Sequence, residues 1–321
     1  MKKNHPLSRR AFIKKASITA SVLPLASYLS CSTTNTRAAS DDLEVHVFSK
    51  HLQFLDYKEM AVTVKEIGYD GVDLTVRPKG HVLPKKVADD LPQAVAALRE
   101  QGLIINMMTT GVNNSDDAIH RKVLETAAVQ GIKNYRMGYL SYPKAGTIPE
   151  AIAVFQDQMK DLAEFNQSLG LRGAYQNHAG KRVGAMMWDI YHLLEKANPD
   201  TLGCQYDIRH AMVEGGMSWE TGLRLIQPHI HTIVLKDFVW QKVDGKWKVV
   251  NVPLGEGMVD FGGYFRILKD YGIQVPASMH LEYDLGGAEH GAKKMDKAGQ
   301  KVVFEAMKRD LQKARKMWQE A

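Results

Sequence analysis

The sequence predicts a single parallel (β/α)8 barrel, and three observations carry that expectation. From Leu43 onward, β-branched runs alternate with amphipathic helical stretches in units of roughly 25 to 35 residues, the pattern of a parallel sheet with helical crossovers. The length of 321 residues suits one barrel of about 250 residues behind a leader. No G-x-G-x-x-G follows the first strand, which removes the main support for an open dinucleotide-binding sheet.

The elements follow in order. Glu44–Phe48 reads as a strand and Tyr57–Ile67 as a helix closed by Gly68. Gly71–Val76 is the second strand, ending at Arg77-Pro78. Leu91–Gln101 has helical apolar spacing and stops at Gly102, before the strand Leu103–Met108. Ala118–Gln130 is a helix ending at Gly131, ahead of the strand Ile132–Met137. Ile148–Leu169 is a long amphipathic helix that ends at Gly170 and leads into Leu171–Gln176. The repeated glycines are expected helix C-caps. In the second half, Asp189–Lys196 is helical, Leu202–Asp207 a strand, Trp219–Ile226 a helix and His231–Leu235 a strand. Lys242–Val250 reads as a hairpin through Asp244-Gly245, inserted after the seventh strand. Phe261–Tyr271 is a helix, Ala277–Leu281 the last strand and Lys301–Glu320 the closing helix.

Composition narrows the function classes. At 45% hydrophobic and 24% charged, the chain has the balance of a globular protein, and no apolar run in its body reaches the ~18 residues of a membrane span. Two cysteines, Cys31 and Cys204, exclude a disulfide scaffold and a cysteine-rich zinc module. The net charge of +6 belongs to the leader. Lys2, Lys3, Arg9, Arg10, Lys14, Lys15 and Arg37 fall within residues 1–38, which hold no acid. The rest keeps 35 of the 42 basic residues against 36 acidic ones. The body therefore has no global electrostatic reason to bind nucleic acid.

Within that leader, Ser8-Arg9-Arg10-Ala11-Phe12-Ile13-Lys14 resembles the twin-arginine export motif. A small-residue apolar segment from Ala16 to Leu29 and a polar stretch from Ser30 to Asp41 complete an export signal. The resemblance implies passage through the twin-arginine machinery and a periplasmic location. A lipid anchor at Cys31 and plain cleavage near Ala38-Ala39 both stay open. Residues 1–38 are thus read as signal and linker, and 39–321 as the barrel.

In such barrels the active site forms at the C-terminal ends of the strands. Those ends offer His51, Arg77 with His81 beyond it, Thr109-Thr110, Arg136, Gln176-Asn177-His178, Asp207 with His210, Lys236-Asp237, and His280-x-Glu282 followed by Asp284. Side chains alternate along a strand, so Gln176 with His178, and His280 with Glu282, should share a face. A mouth so rich in ionisable groups costs folding stability, which a ligand or metal would account for. Trp240 and Trp247 flank the hairpin, where an aromatic face suits the apolar side of a sugar ring.

At these residues the chain resembles the xylose isomerase-like TIM barrels, often described as sugar phosphate isomerase/epimerases. The marks are Phe54-Leu55-Asp56, Gly68-Tyr69-Asp70-Gly71-Val72-Asp73-Leu74, Tyr206-Asp207-x-x-His210, Leu235-Lys236-Asp237, Gly255-Glu256-Gly257-x-Val259-Asp260-Phe261 and His280-x-Glu282, in that order. The resemblance implies a divalent metal, commonly manganese, on an acid after the fifth strand, an aspartate after the sixth, a histidine on the seventh and a glutamate on the eighth. Asp207 and Glu282 match, but Gln176 stands where the first acid is usual and Val234 where the histidine is usual. The expected metal set is Gln176, Asp207, His280 and Glu282, with imidazoles making up for the departures. Glu282, Lys236 and His178 are the catalytic candidates; Arg77, His81, Arg136, His210 and Trp240 are the substrate-binding ones.

The function expected is that of an exported carbohydrate isomerase or epimerase, acting by proton abstraction from carbon next to a carbonyl or hydroxyl, with metal or Lys236 and Arg136 stabilising the enediolate. Export favours free sugars, glycosides or oxidised sugars over sugar phosphates. A lyase acting on keto sugars would use nearly the same residues, and a sugar-binding barrel without catalysis would explain Gln176 and Val234. Related barrels also include metal-dependent endonucleases, which need more His and Asp/Glu ligands and a basic groove than this body offers. A homodimer stays open.

Overall fold

The computed structural model describes residues 42–321, and the barrel forms within the unit Asp41–Ala321. The expected export signal and the lipidation site at Cys31 lie outside the described residues. The barrel strands are β1 (Val45–Phe48), β2 (Gly71–Val76), β3 (Ile104–Thr110), β4 (Asn134–Arg136), β5 (Arg172–Gln176), β6 (Leu202–Asp207), β7 (Ile230–Leu235) and, after a hairpin, β10 (Ala277–Met279). They close in the order β1-β10-β7-β6-β5-β4-β3-β2, all parallel. This is the expected eight-stranded barrel.

The helices between strands form where apolar spacing meets good caps. Helix α1 (Tyr57–Ile67) starts at Asp56, whose carboxylate accepts the Lys58 and Glu59 N–H groups, and stops at Gly68, in a left-handed conformation with φ 101°. Helix α2 (Val87–Glu100) begins earlier than the spacing from Leu91 indicates, because a 3-10 turn over Pro84–Lys86 leads directly into it. Helices α3 (Ala118–Val129) and α4 (Ile148–Leu169) fall where the pattern places them, and Thr147 with Glu150 makes a reciprocal capping box for α4. Helix α5 (Met187–Leu194) precedes β6.

Helix α6 (Ile208–Gly215) has no counterpart among the elements expected from the sequence. Asp207 itself caps it, accepting the His210 N–H at 3.1 Å. Helix α7 (Trp219–Ile226) then follows, its Trp219 ring 6.2 Å from that of Tyr264, which in turn stacks 5.9 Å from Tyr206 on β6. The hairpin is longer than Lys242–Val250: β8 (Asp237–Val243) and β9 (Lys246–Val252) pair antiparallel along their whole lengths. Helix α8 (Phe261–Asp270) and α9 (Lys297–Glu320) complete the ring.

The core lies between strands and helices, where side chains such as Val45, Val64, Leu91, Leu162 and Phe265 are fully buried. Each large apolar side chain buried there stabilises the fold by roughly 1.5–3 kcal/mol. Inside the barrel, Asp73 on β2 accepts hydroxyl hydrogen bonds from Thr109 on β3 at 3.0 Å and Ser278 on β10 at 2.6 Å. A buried carboxylate is thereby satisfied below the mouth.

Candidate active site

The C-terminal ends of β5, β6, β7 and β10 bring one charged cluster together. Lys236, the residue after β7, is its centre. Its Nζ lies 3.0 Å from Asp207 Oδ2, 3.3 Å from Glu282 Oε2 and 2.7 Å from His210 Nε2. Asp207 is fully buried, whereas the Glu282 side chain stays 25% exposed and so faces the mouth. Lys50, in the 3-10 turn Ser49–Leu52 after β1, donates to Glu282 Oε1 at 2.9 Å.

Charge balance explains the protonation states. Burial alone would lower the Lys236 ammonium, but Asp207 and Glu282 outweigh it and hold its pKa above the usual value. Burial would likewise push the Glu282 carboxyl up, but Lys236, His280 and Lys50 hold it well below the ordinary range. Burial lowers His178, and pushes His210 well below the usual value, with the Lys236 charge adding to both. Both rings are neutral at neutral pH.

Gln176 is fixed from the other side. Arg136 Nη1 donates to its Oε1 at 3.0 Å and the Tyr139 hydroxyl at 2.6 Å. Its amide nitrogen therefore points at Asp207 Oδ2, 2.8 Å away, as a donor. Gln176 and His178 do share a border: the Tyr139 ring that touches Gln176 also meets His178 at 5.2 Å, and His178 lies 4.0 Å from the His210 ring. His280 Nδ1 stands 3.8 Å from Glu282 Oε1, too far for a hydrogen bond. Its buried ring stacks 4.2 Å from Phe48, and neither nitrogen has a hydrogen-bond partner. Burial lowers its pKa to about 4.

Other candidates have other surroundings. His81 does not join the cluster: its Nε2 reaches the Leu52 carbonyl at 3.2 Å and its Nδ1 the Ser49 hydroxyl at 3.1 Å, so both nitrogens serve the β1–β2 corner. His51 ties Leu281 N–H to Nε2 at 3.0 Å and the Ala288 carbonyl to Nδ1 at 3.3 Å, which positions the segment carrying Glu282. Arg77 lies 5.4 Å over the Phe48 ring, beside Lys50 at 5.5 Å. Trp240 sits on β8, 43% exposed. Asp237 turns away from Lys236 and accepts backbone N–H groups of Phe238, Gly255, Gly257 and Val259 at 2.8 to 3.1 Å. Gly257 must be glycine, because a Cβ there would collide with Asp237 Oδ1 and the Phe238 carbonyl.

Sequence reasoning missed Lys50, Tyr139 and Arg209. Lys50 directly precedes His51 at a strand end, and Arg209 lies inside Tyr206-Asp207-x-x-His210, so both had a positional signal. Arg209 Nη1 lies 2.9 Å from His210 Nδ1, and Lys236 Nζ lies 2.7 Å from Nε2. A neutral imidazole has one lone pair, so the ring cannot accept from both. Lys50, Arg77, Arg209 and Lys236 set four positive charges against Asp207 and Glu282.

The expected metal set does not fit this geometry. Gln176 presents its amide N–H groups to Asp207 because Arg136 and Tyr139 hold its oxygen, so in this arrangement that oxygen is not offered to a metal. Val234 pairs in register with Asp207 and offers no donor. Among the described residues, no group of three or more His, Cys, Asp or Glu side chains could hold a metal ion.

Fold and site together define a (β/α)8 protein with a polar, cation-rich cluster at the strand ends. More particularly, residues 62–307 match the model of the xylose isomerase-like TIM barrel family, and the chain belongs to that family. Solved structures agree in fold. A putative xylose isomerase from Rhodospirillum rubrum is 16% identical with a TM-score of 0.63, over 85% of this chain and 99% of that one. A 3-keto-D-glucoside 4-epimerase from E. coli is 12% identical with a TM-score of 0.61, over 84% and 99%. A family member from Mycobacterium smegmatis, solved in complex with magnesium, is 12% identical with a TM-score of 0.59, over 84% and 98%. No curated protein shows significant sequence similarity.

Proposed function

We propose that this chain is a sugar epimerase or isomerase that removes a proton from the carbon beside a carbonyl of a free or oxidised sugar. The observation that carries this reading is the Lys236 ammonium between Asp207 and Glu282, with Glu282 partly exposed at the mouth. Proton loss beside a carbonyl places negative charge on oxygen, and preorganised cations stabilise that charge most where water is scarce. Lys236 and Arg136 supply such donors. Glu282 and neutral His178 stand at the ends of β10 and β5, with β6 and β7 between them, so they border a bound sugar from two sides. One removes the proton and the other returns it, which is what inverting a carbon requires. His280 lies buried beside Glu282 with both nitrogens unpartnered, which leaves its hydrogen-bonding capacity unused by the fold. The similarity to a 3-keto-glucoside epimerase supports oxidised sugars as the first class to try. An export signal in the leader supports a substrate met outside the cytoplasm.

The same groups support a lyase, in which Lys236 protonates a leaving group at the next carbon. Gln176 and Val234, which remove two of the usual metal donors, favour a third reading, a sugar-binding barrel without turnover. Proton NMR in D2O separates the three. Epimerisation gives exchange at one carbon with a new stereoisomer, elimination gives an unsaturated product, and binding alone gives line broadening without exchange. Glu282→Gln is expected to abolish exchange; a panel of free and 3-keto sugars that binds but never exchanges would overturn the enzymatic reading.

A further inference from the structure

We infer that the Lys236 ammonium holds the seat that the family resemblance assigns to a divalent metal, so that this barrel carries its cation on its own chain. The seat is defined by what surrounds Nζ. An ammonium has three N–H donors; two carboxylate oxygens accept from it, Asp207 Oδ2 at 3.0 Å and Glu282 Oε2 at 3.3 Å, and His210 Nε2 at 2.7 Å takes the third when the ring lone pair faces Lys236 rather than Arg209. Asp207 and Glu282 are the two positions where the chain keeps the family's ligand pattern.

Among the direct ion pairs the charge also balances. Two carboxylates meet two ammonium groups, Lys236 and, on the outer oxygen of Glu282, Lys50 at 2.9 Å. Together they bring the +2 of a divalent ion. A metal would need the carboxylate oxygens at about 2.0–2.2 Å, and the lysine head group fills that space and repels it. The two departures from the family pattern fit the same exchange. Gln176 directs amide N–H groups at Asp207, which an anionic partner of a metal would not do, and Val234 packs beside Asp207 as plain apolar surface. Unlike a metal, Lys236 can pass a proton to a developing oxyanion as well as stabilise it. The inference rests on the geometry of the cluster and not on the sugar reaction proposed above, so it survives the loss of that reading.

Elemental analysis by mass spectrometry on the full chain, purified without affinity metal, tests it together with melting curves in EDTA and in Mn2+ or Mg2+. The wild type should carry far less than one divalent ion per chain and melt at the same temperature in all three. Lys236→Met removes the charge and leaves Asp207 facing Glu282. It should melt about 10 °C lower and recover in part when Mn2+ is added. Lys236→Arg keeps the charge and should not respond to Mn2+. A wild type that holds one divalent ion per chain, and melts lower once EDTA removes it, would overturn the inference. So would a Lys236→Met protein as stable as the wild type. Should that variant fail to fold, the metal content and EDTA response of the wild type still decide.

Discussion

Asp207 and Asp237 are two buried aspartates at neighbouring strand ends, and they do opposite things. Asp207 faces into the barrel mouth, where its carboxylate meets the Lys236 ammonium and the Gln176 amide. Asp237 faces the other way, into the loop behind β7, and four backbone N–H groups from residues 238 to 259 converge on it. The difference is one step along a strand: Lys236 turns inward, so its neighbour turns outward. A buried carboxylate held by backbone amides fixes a loop; one held by side chains at the barrel mouth can respond to a ligand. The Lys236-Asp237 pair and the Gly255–Val259 motif, adjacent marks of the family resemblance, therefore serve separate purposes. The first half of the pair belongs to the site, and the second half anchors the glycine loop.

That contrast can be broken experimentally. The largest effect on rate is expected at Glu282, the mouth-facing partner of Lys236: Glu282→Gln should cut sugar proton exchange about 10³-fold, with the lost ion pairs lowering the melting temperature by only a few degrees. Asp207→Asn should follow with a loss of about 10²-fold in rate. Asp237→Asn should reverse the pattern. An amide nitrogen would face backbone N–H groups, costing about 3 kcal/mol of stability, while the rate per folded molecule stays within about twofold. Unfolding curves and exchange rates measured on the same preparations check all three. If Asp237→Asn slowed exchange without loss of stability, the division between site and anchor would fail.

The next expectation concerns pH. His81, His231 and His280 are pushed by burial to about 4, and His51 and His210 lie well below the usual value. As the pH falls below 6.5, the unfolded chain binds protons at these rings that the folded protein refuses. Stability is therefore complete above that range and drains away towards pH 4. Each ring contributes a slope of up to about 1.4 kcal/mol per pH unit. Glu282, held low, adds to the loss only at still lower pH. Urea unfolding from pH 7 to 5 measures the slope; a flat profile would mean that these rings are charged in the folded state. The smallest effect should be at Trp240, partly exposed on β8, where alanine should change stability by no more than about 0.5 kcal/mol. A sugar affinity that fell with Trp240→Ala would place the hairpin over the mouth.

The sequence by itself determined the barrel, because each β/α unit writes its own period, cap and stop locally. Asp56, Thr147 and Gly68 act within a few residues of where they stand. It also determined which end of each strand carries chemistry, since polar residues collect there whatever the partner. Element edges were less legible. α6 escaped notice because Asp207 is both the end of β6 and the cap of that helix.

Only the tertiary structure decided which of those polar groups meet. His81 and His280 look alike as strand-end histidines, yet one is consumed by hydrogen bonds of its own corner and the other is left open. Gln176 looks like a weakened metal ligand until Arg136 and Tyr139 turn its oxygen away. Lys236 meets residues from β6 and from beyond β10 only when the barrel has closed, and Lys50 reaches Glu282 across 232 residues of chain. Local patterns fix backbone conformation, but the charge a carboxylate feels depends on distances that closure alone sets.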